Sequence, residues 1–530
     1  MARGFDLSAY GLHAPDVIYD ASLGLLYEDG VVCDGDWITA TGALATNSGD
    51  RTRRSPRDRR IVESPAIDSH VDWNEFTQKL SEKSFAALHK AAIDYLNTCG
   101  RLYVVDGYYG ADPEHRLKVR VICARAYHAL FMRTMLVRPT TEERAGFAAP
   151  DALILNAGQS PADPKTPGLS SAVSVSIRLA TGEVVILGTD YAAEMKGALF
   201  TLAGYRHVEQ GVLALRASAM EDPRSGVTLL VGLPATGKTT LAIGAAQQFV
   251  ADDAVAWSDR GVTNLEGGCY PRCHGIASAE QPELAAAIRF GALLENVVVD
   301  PRTRLPDYRD TTLTENTRAA FPLEHIVEAN RSAFHGHPTN VILLVCDATG
   351  VLPPVSRLTA EQAAYYYLSG YSSKLPTAAG ASAEALFSPC YGAGLLVHAP
   401  ERFVELFSER LRARAPRTWL VNTGWSGEPA STNRISLTHS RTIISAIVSG
   451  AIEGQPTVAE PIFGLEIPAR VEAVPAELLH PWESWRSAEA YRAAALRLAE
   501  QFQANFQQHA NWSSADLAAA GPRVSEVAAT

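Results

Sequence analysis

The β-branched run Val227–Val231 leads straight into Gly232-Leu233-Pro234-Ala235-Thr236-Gly237-Lys238-Thr239, and Thr240 opens a helix-like run to Gln248. This order constrains the chain more than any other feature, because G-x4-G-K-S/T between a strand and a helix is the phosphate-binding turn of nucleotide-binding α/β domains. Backbone N–H groups and the start of the helix surround the phosphates, Lys238 supplies a point charge, and the Thr239 hydroxyl can ligate a divalent ion. Gly232, Leu233, Ala235, Thr236, Gly237, Lys238, Thr239 and Thr240 are the candidate nucleotide contacts, with ATP or a close relative as ligand and Mg2+ as its companion. The competing reading is an ordinary glycine turn capping a helix, and the strand and helix flanks weigh against it. Pro234 has no N–H to donate, which favours weaker binding without abolishing it.

About a dozen residues on, Phe249-Val250-Ala251-Asp252-Asp253 reads as a short strand ending in two carboxylates. A paired Asp by itself is usually a turn or a cap. Following a phosphate turn, it favours a metal role, and Thr239, Asp252 and Asp253 are the candidate metal residues.

The rest of the chain agrees with a small-molecule enzyme. Its 530 residues are too many for one compact unit, and two or three domains are expected. A net charge of −11 disfavours nucleic-acid or anionic-membrane binding, even though Arg51–Arg60 carries six arginines. Seven scattered cysteines suggest a reducing compartment. Cys269-x3-Cys273-His274 could be half a zinc site, but no second ligand pair follows it. Met1–Val17 lacks an apolar segment and a cleavage site, so a cytoplasmic, soluble protein is expected, a monomer by default. Strand-like runs (Val184–Leu187, Val227–Val231, Val341–Val345) alternate with helix-like ones (Phe85–Thr98, Leu117–Leu136, Ala488–Phe506), the pattern of an α/β protein. The expected division is residues 1–212, residues 213–510 with the phosphate turn, and a fraying tail at 511–530.

Past Asp253 the sequence resembles the ATP-type phosphoenolpyruvate carboxykinase family. The resemblance is carried by Trp257–Val262, Leu265–Tyr270, Ala287–Ala292, Leu313–Arg318, Cys346–Ser356 and Trp419–Trp425, and earlier by Arg54–Asp58, Gly110–Pro113 and Tyr191–Lys196. It spans roughly residues 10 to 507. It implies a two-domain fold with the phosphate turn in the C-terminal domain and the reaction in the cleft between the domains. The family reaction converts ATP and oxaloacetate to phosphoenolpyruvate, CO2 and ADP. Carried over by position, Arg54 and Tyr191 belong to the substrate pocket and Arg318 approaches the transferring phosphate. Lys196 joins the catalytic group, Arg272 stands at a phosphate-binding lysine, and Arg434 and Ser440 lie at nucleotide contacts.

The departures gather in one place. The family ligates a second metal, usually manganese, with a lysine, a histidine and an aspartate; here the match puts Gly197 at the lysine and Arg216 at the histidine, leaving only Asp253. Manganese is therefore not expected to bind firmly. Ala192 and Ala193 replace a glycine pair, Pro234 and Ala235 replace Ser and Gly, and the lid-like Leu375–Glu384 is short and lacks the family's Thr-Glu-Arg core. These changes favour an ATP-dependent kinase on this scaffold, acting on a carboxylate or other small acceptor, with Arg216 as a fixed charge. The alternatives are a working carboxykinase and a silent nucleotide-binding protein. In all three the nucleotide depends on Lys238, and Lys238→Ala should abolish or greatly weaken ATP binding by calorimetry, whereas unchanged affinity would refute the phosphate-turn assignment.

Overall fold

The computed structural model describes residues 5–147, 149–244, 247–274, 276, 281–374, 384–428 and 434–524. The lid-like residues 375–383 lie outside them. The chain forms two compact units, one from Met1–Gln210, Thr263–Ala333 and Gly394–Ala399, the other from Gly211–Val262, Phe334–Ala393 and Pro400–Thr530. Both are mixed α/β. No described helix is long and apolar enough to cross a membrane.

In the first unit an eight-stranded sheet runs in the order Asp16–Tyr19, Arg101–Tyr109, Leu117–Cys123, Ala152–Ala157, Glu183–Leu187, Ser174–Arg178, Arg59–Val62, Gln78–Leu80. The helix Glu82–Leu96, capped by the Ser81 hydroxyl, lays Phe85, Leu88, Ala92 and Leu96 along one face. That stripe packs on Leu102, Val104, Ile122, Leu155, Val185 and Leu187 of the sheet.

Leu117–Leu136, expected as one helix, is instead the strand Leu117–Cys123 followed by the helix Ala126–Met135. Leu117-Lys118-Val119-Arg120-Val121 alternates with period two, and the segment is paired on both edges, with Arg101–Tyr109 and Ala152–Ala157. Sheet pairing outweighs helical propensity there. The charge this buries is answered locally, since Arg120 donates to both oxygens of Asp106, at 2.8 and 2.6 Å.

A second, five-stranded sheet of the same unit orders Gly268–Cys269, Arg318–Pro322, Leu293–Glu295, Leu44–Thr46 and Trp37–Ile38. It sets Glu295 opposite Arg318. The helix Ala193–Glu209, buried from Ala193 to Gly204, completes the frame.

The second unit holds the phosphate turn at the end of Gly226–Gly232, which lies between antiparallel Ala217–Asp222 and parallel Pro338–Val345. Parallel Arg417–Asn422 follows, so Gly232, Val345 and Asn422 end on one side of the sheet. In open sheets this carboxyl side is where ligands bind. The helix after the turn is shorter than expected: Lys238–Ile243 closes on Gly244, and Gln248 already begins the strand Gln248–Ala251. Glycine is a poor helix former, and an added Cβ at Gly244 would stand 2.2 Å from the Arg441 guanidinium.

The carboxyl side is tied by two residues. Asn422 accepts the N–H groups of Asp347 and Gly424 and donates to Leu352 and Trp425 carbonyls. Gly424 has to be glycine, since a Cβ there would lie 2.2 Å from the Asp347 carbonyl oxygen. The Asp347 carboxylate, wholly buried, accepts the N–H groups of Thr349, Val351 and Leu352 and the hydroxyls of Thr349 and Tyr371. Asp347→Ala leaves these buried donors unmatched and is expected to cost about 3 kcal/mol or more, read as a lower denaturation midpoint, with Asp347→Asn costing less.

Candidate active site

The phosphate turn is held by its own side chains. The Thr236 N–H and hydroxyl both donate to the Leu233 carbonyl, at 3.3 and 2.8 Å, and the Thr423 hydroxyl donates to the Thr236 carbonyl at 2.9 Å. Gly232 leaves no room for a Cβ, which would stand 2.8 Å from Thr236 Oγ1 and 2.9 Å from Leu344 O. Ala235 and Gly237 both take left-handed conformations, at φ +71° and +92°. For Ala235 that costs roughly 1–2 kcal/mol, strain that glycine would not carry. Lys238 donates from Nζ to the carbonyls of Gly232 (2.8 Å) and Leu233 (3.0 Å), so its charge sits inside the turn.

Two carboxylates face the turn and differ in role. Asp252, 2% exposed, accepts the hydroxyls of Thr239 at 2.6 Å and Ser218 at 2.9 Å. Asp253, at φ +61°, turns the other way and meets Arg216 Nη2 at 2.7 Å and Lys238 Nζ at 3.7 Å. Arg216 is nearly buried, its carbonyl accepting the Gly232 N–H. Arg434 bridges to Trp425 and lies over its ring at 5.2 Å. Ser440 is buried in the helix Leu437–Ser449.

The remaining site residues gather in the other unit. Asn316 donates to the Tyr191 hydroxyl (2.9 Å) and the Thr52 carbonyl (2.8 Å) and accepts from Arg318 Nε (3.1 Å). Arg318 also donates to the Tyr270 carbonyl and bridges to Arg272. Arg54 lies against Gly197, where a Cβ would stand 3.3 Å from its Nη1, and Glu194 accepts the next N–H, that of Ser55, at 2.7 Å. Lys196 pairs with buried Glu266 at 2.8 Å, and Tyr109 donates to the same carboxylate.

Cations crowd this region. Burial, then Arg318, holds Arg272 below the usual guanidinium range, and burial with Arg54 beside it pushes Arg59 down to about 9. An anion relieves such repulsion, and planar guanidiniums bind carboxylates in bidentate fashion. Burial also raises Glu194, and pushes Glu295 up to about 7 although it accepts the Ala192 N–H and the Tyr270 hydroxyl.

Sequence reasoning gave no role to Glu295, Asn316, Glu266, Ser218 or Thr423, which hold the named residues in place. Asn316 and Glu266 stood inside the recognised runs. Glu295 carried no signal of its own, since a lone Glu in Leu293-Leu294-Glu295 reads as an ordinary strand end.

A strand-ending phosphate turn with a carboxylate against its threonine defines a nucleotide-binding α/β protein. The phosphoenolpyruvate carboxykinase family model matches residues 15–477. A relative from Eremothecium gossypii, named phosphoenolpyruvate carboxykinase (ATP), is 44% identical over 512 residues, covering 95% of each chain. One from Salinibacter ruber, named phosphoenolpyruvate carboxykinase (ATP) 2, is 43% identical, covering 98% of this chain and 99% of its own. A third, phosphoenolpyruvate carboxykinase (ATP) from Dictyostelium discoideum, is 44% identical over 96% of this chain and 91% of its own. The chain belongs to the ATP-dependent phosphoenolpyruvate carboxykinase family.

Glu295 gives the site a pH signature. Its folded pKa, about 7, lies above its ordinary value of 4.5, so the native state holds a proton the unfolded chain has lost. Its stabilising contribution is complete below 4.5 and is lost as pH rises through 7. Glu295→Gln is expected to flatten the fall in denaturation midpoint between these values, and an unchanged profile would show that Glu295 ionises normally.

Proposed function

We propose that the chain catalyses the reaction its relatives are named for, converting ATP and oxaloacetate to phosphoenolpyruvate, CO2 and ADP. The observation that carries this reading is the hydrogen-bonded set Tyr191, Asn316 and Arg318, with Arg272 paired to Arg318 along the backbone and held by desolvation and then by Arg318 below the usual guanidinium range, a cluster of cations that an acidic substrate suits. Arg54 and Tyr191 bind the dicarboxylate, and Arg318 neutralises charge on the transferring phosphoryl group. As the bond to the departing carboxylate breaks, its electron pair forms the enolate, whose oxygen takes the γ-phosphoryl group from ATP. Asn316 fixes the Arg318 fork and the Tyr191 hydroxyl relative to one another. Lys196, neutralised by Glu266, acts as a positioning residue beneath the pocket.

On the nucleotide side, Lys238 holds the phosphate charge, and Thr239 with Asp252 offers paired oxygen donors that fit Mg2+. When bound with ATP, that ion neutralises phosphate charge. Arg434 and Ser440 contact the rest of the nucleotide in this reading. The relatives' names support the carboxykinase reaction better than the kinase for another acceptor favoured by the sequence departures.

The test is phosphorus NMR of the protein with ATP, Mg2+, Mn2+ and oxaloacetate. Phosphoenolpyruvate and ADP should grow in equal amounts, and Arg318→Ala should slow them by roughly 100-fold or more. A different phosphorylated product, or ATP left intact, would overturn the proposal.

A further inference from the structure

The family's second metal does not fit the residues present here. Of the three ligand positions, Gly197 has no side chain and Arg216 has no lone pair to give, its guanidinium being a donor that stays charged in proteins. Asp253 alone can ligate, and its carboxylate is already engaged by Arg216 at 2.7 Å and Lys238 at 3.7 Å. An arriving divalent ion would have to displace Arg216, a nearly buried side chain, and then stand beside two fixed positive charges. At Gly197 an added Cβ would fit tightly, meeting Arg54 Nη1 at 3.3 Å, Arg54 Cδ at 3.4 Å and Leu395 Cδ2 at 3.4 Å.

We infer that Arg216 stands in for the second metal, with Asp253 as the counter-ion that positions its guanidinium beside the phosphate turn, so that the chain takes up only the divalent ion that accompanies the nucleotide. This deepens the proposed function and rests on the phosphate-turn reading. A guanidinium supplies charge and two directed donors to phosphate oxygens, as a metal does. It lacks the orbital that would accept an oxygen lone pair, so Lewis-acid help to the enolate is given up while charge neutralisation is kept.

The test reads metal occupancy separately from turnover. Free Mn2+ is followed by electron paramagnetic resonance as it is added to the wild-type protein, without nucleotide and then with ATP. The expected result is no tight site in the first titration and one Mn2+ per chain in the second. Arg216→His returns a lone-pair donor beside Asp253 and should raise nucleotide-free Mn2+ affinity at least about tenfold, a change of about 1.4 kcal/mol. Stoichiometric, tight Mn2+ binding to the nucleotide-free wild-type chain would overturn the inference, and so would an Arg216→His protein that folds, by circular dichroism, yet gains no affinity. Absence of phosphoenolpyruvate in the NMR experiment would instead count against the proposed reaction and would leave both titrations readable.

Discussion

The structure of the nucleotide side depends on how three parallel strands are closed off at one edge. Gly232, Val345 and Asn422 bring their backbone ends together, and each end exposes donors and acceptors that burial makes expensive. Asn422 and Asp347 answer most of them between two side chains, and Thr423 adds a link to the phosphate turn through the Thr236 carbonyl. The turn is therefore bonded both within itself and to the neighbouring strand end. Its strain at Ala235 persists because the neighbours on both sides leave the backbone little choice.

Charged groups of the first unit meet in two ways. In the first, a cation has a close carboxylate: Arg120 with Asp106, Lys196 with Glu266, Arg125 with Asp190. Such pairs add little net stability but are costly to break, which fixes the geometry around them. In the second, a cation lies near another cation: desolvation and then Arg318 hold Arg272 below the usual guanidinium range, and burial and then Arg54 do the same to Arg59.

Much of this was readable in the sequence where a local pattern has a local cause. The phosphate turn, the strands at 183–187, 226–232 and 338–345, and the helices at 82–96 and 488–507 follow from periodicity and caps. Leu117–Cys123 was misread because its partners, Arg101–Tyr109 and Ala152–Ala157, decide its conformation and neither is visible from the segment itself. The same holds for Glu295, whose partners Ala192 and Tyr270 are remote in sequence and meet it only once the five-stranded sheet has formed. The resemblance pointed to the family that the comparisons show, whereas weighing the departures led toward another acceptor that the relatives' names do not support, because substitutions report which contacts are lost and say little about which chemistry remains.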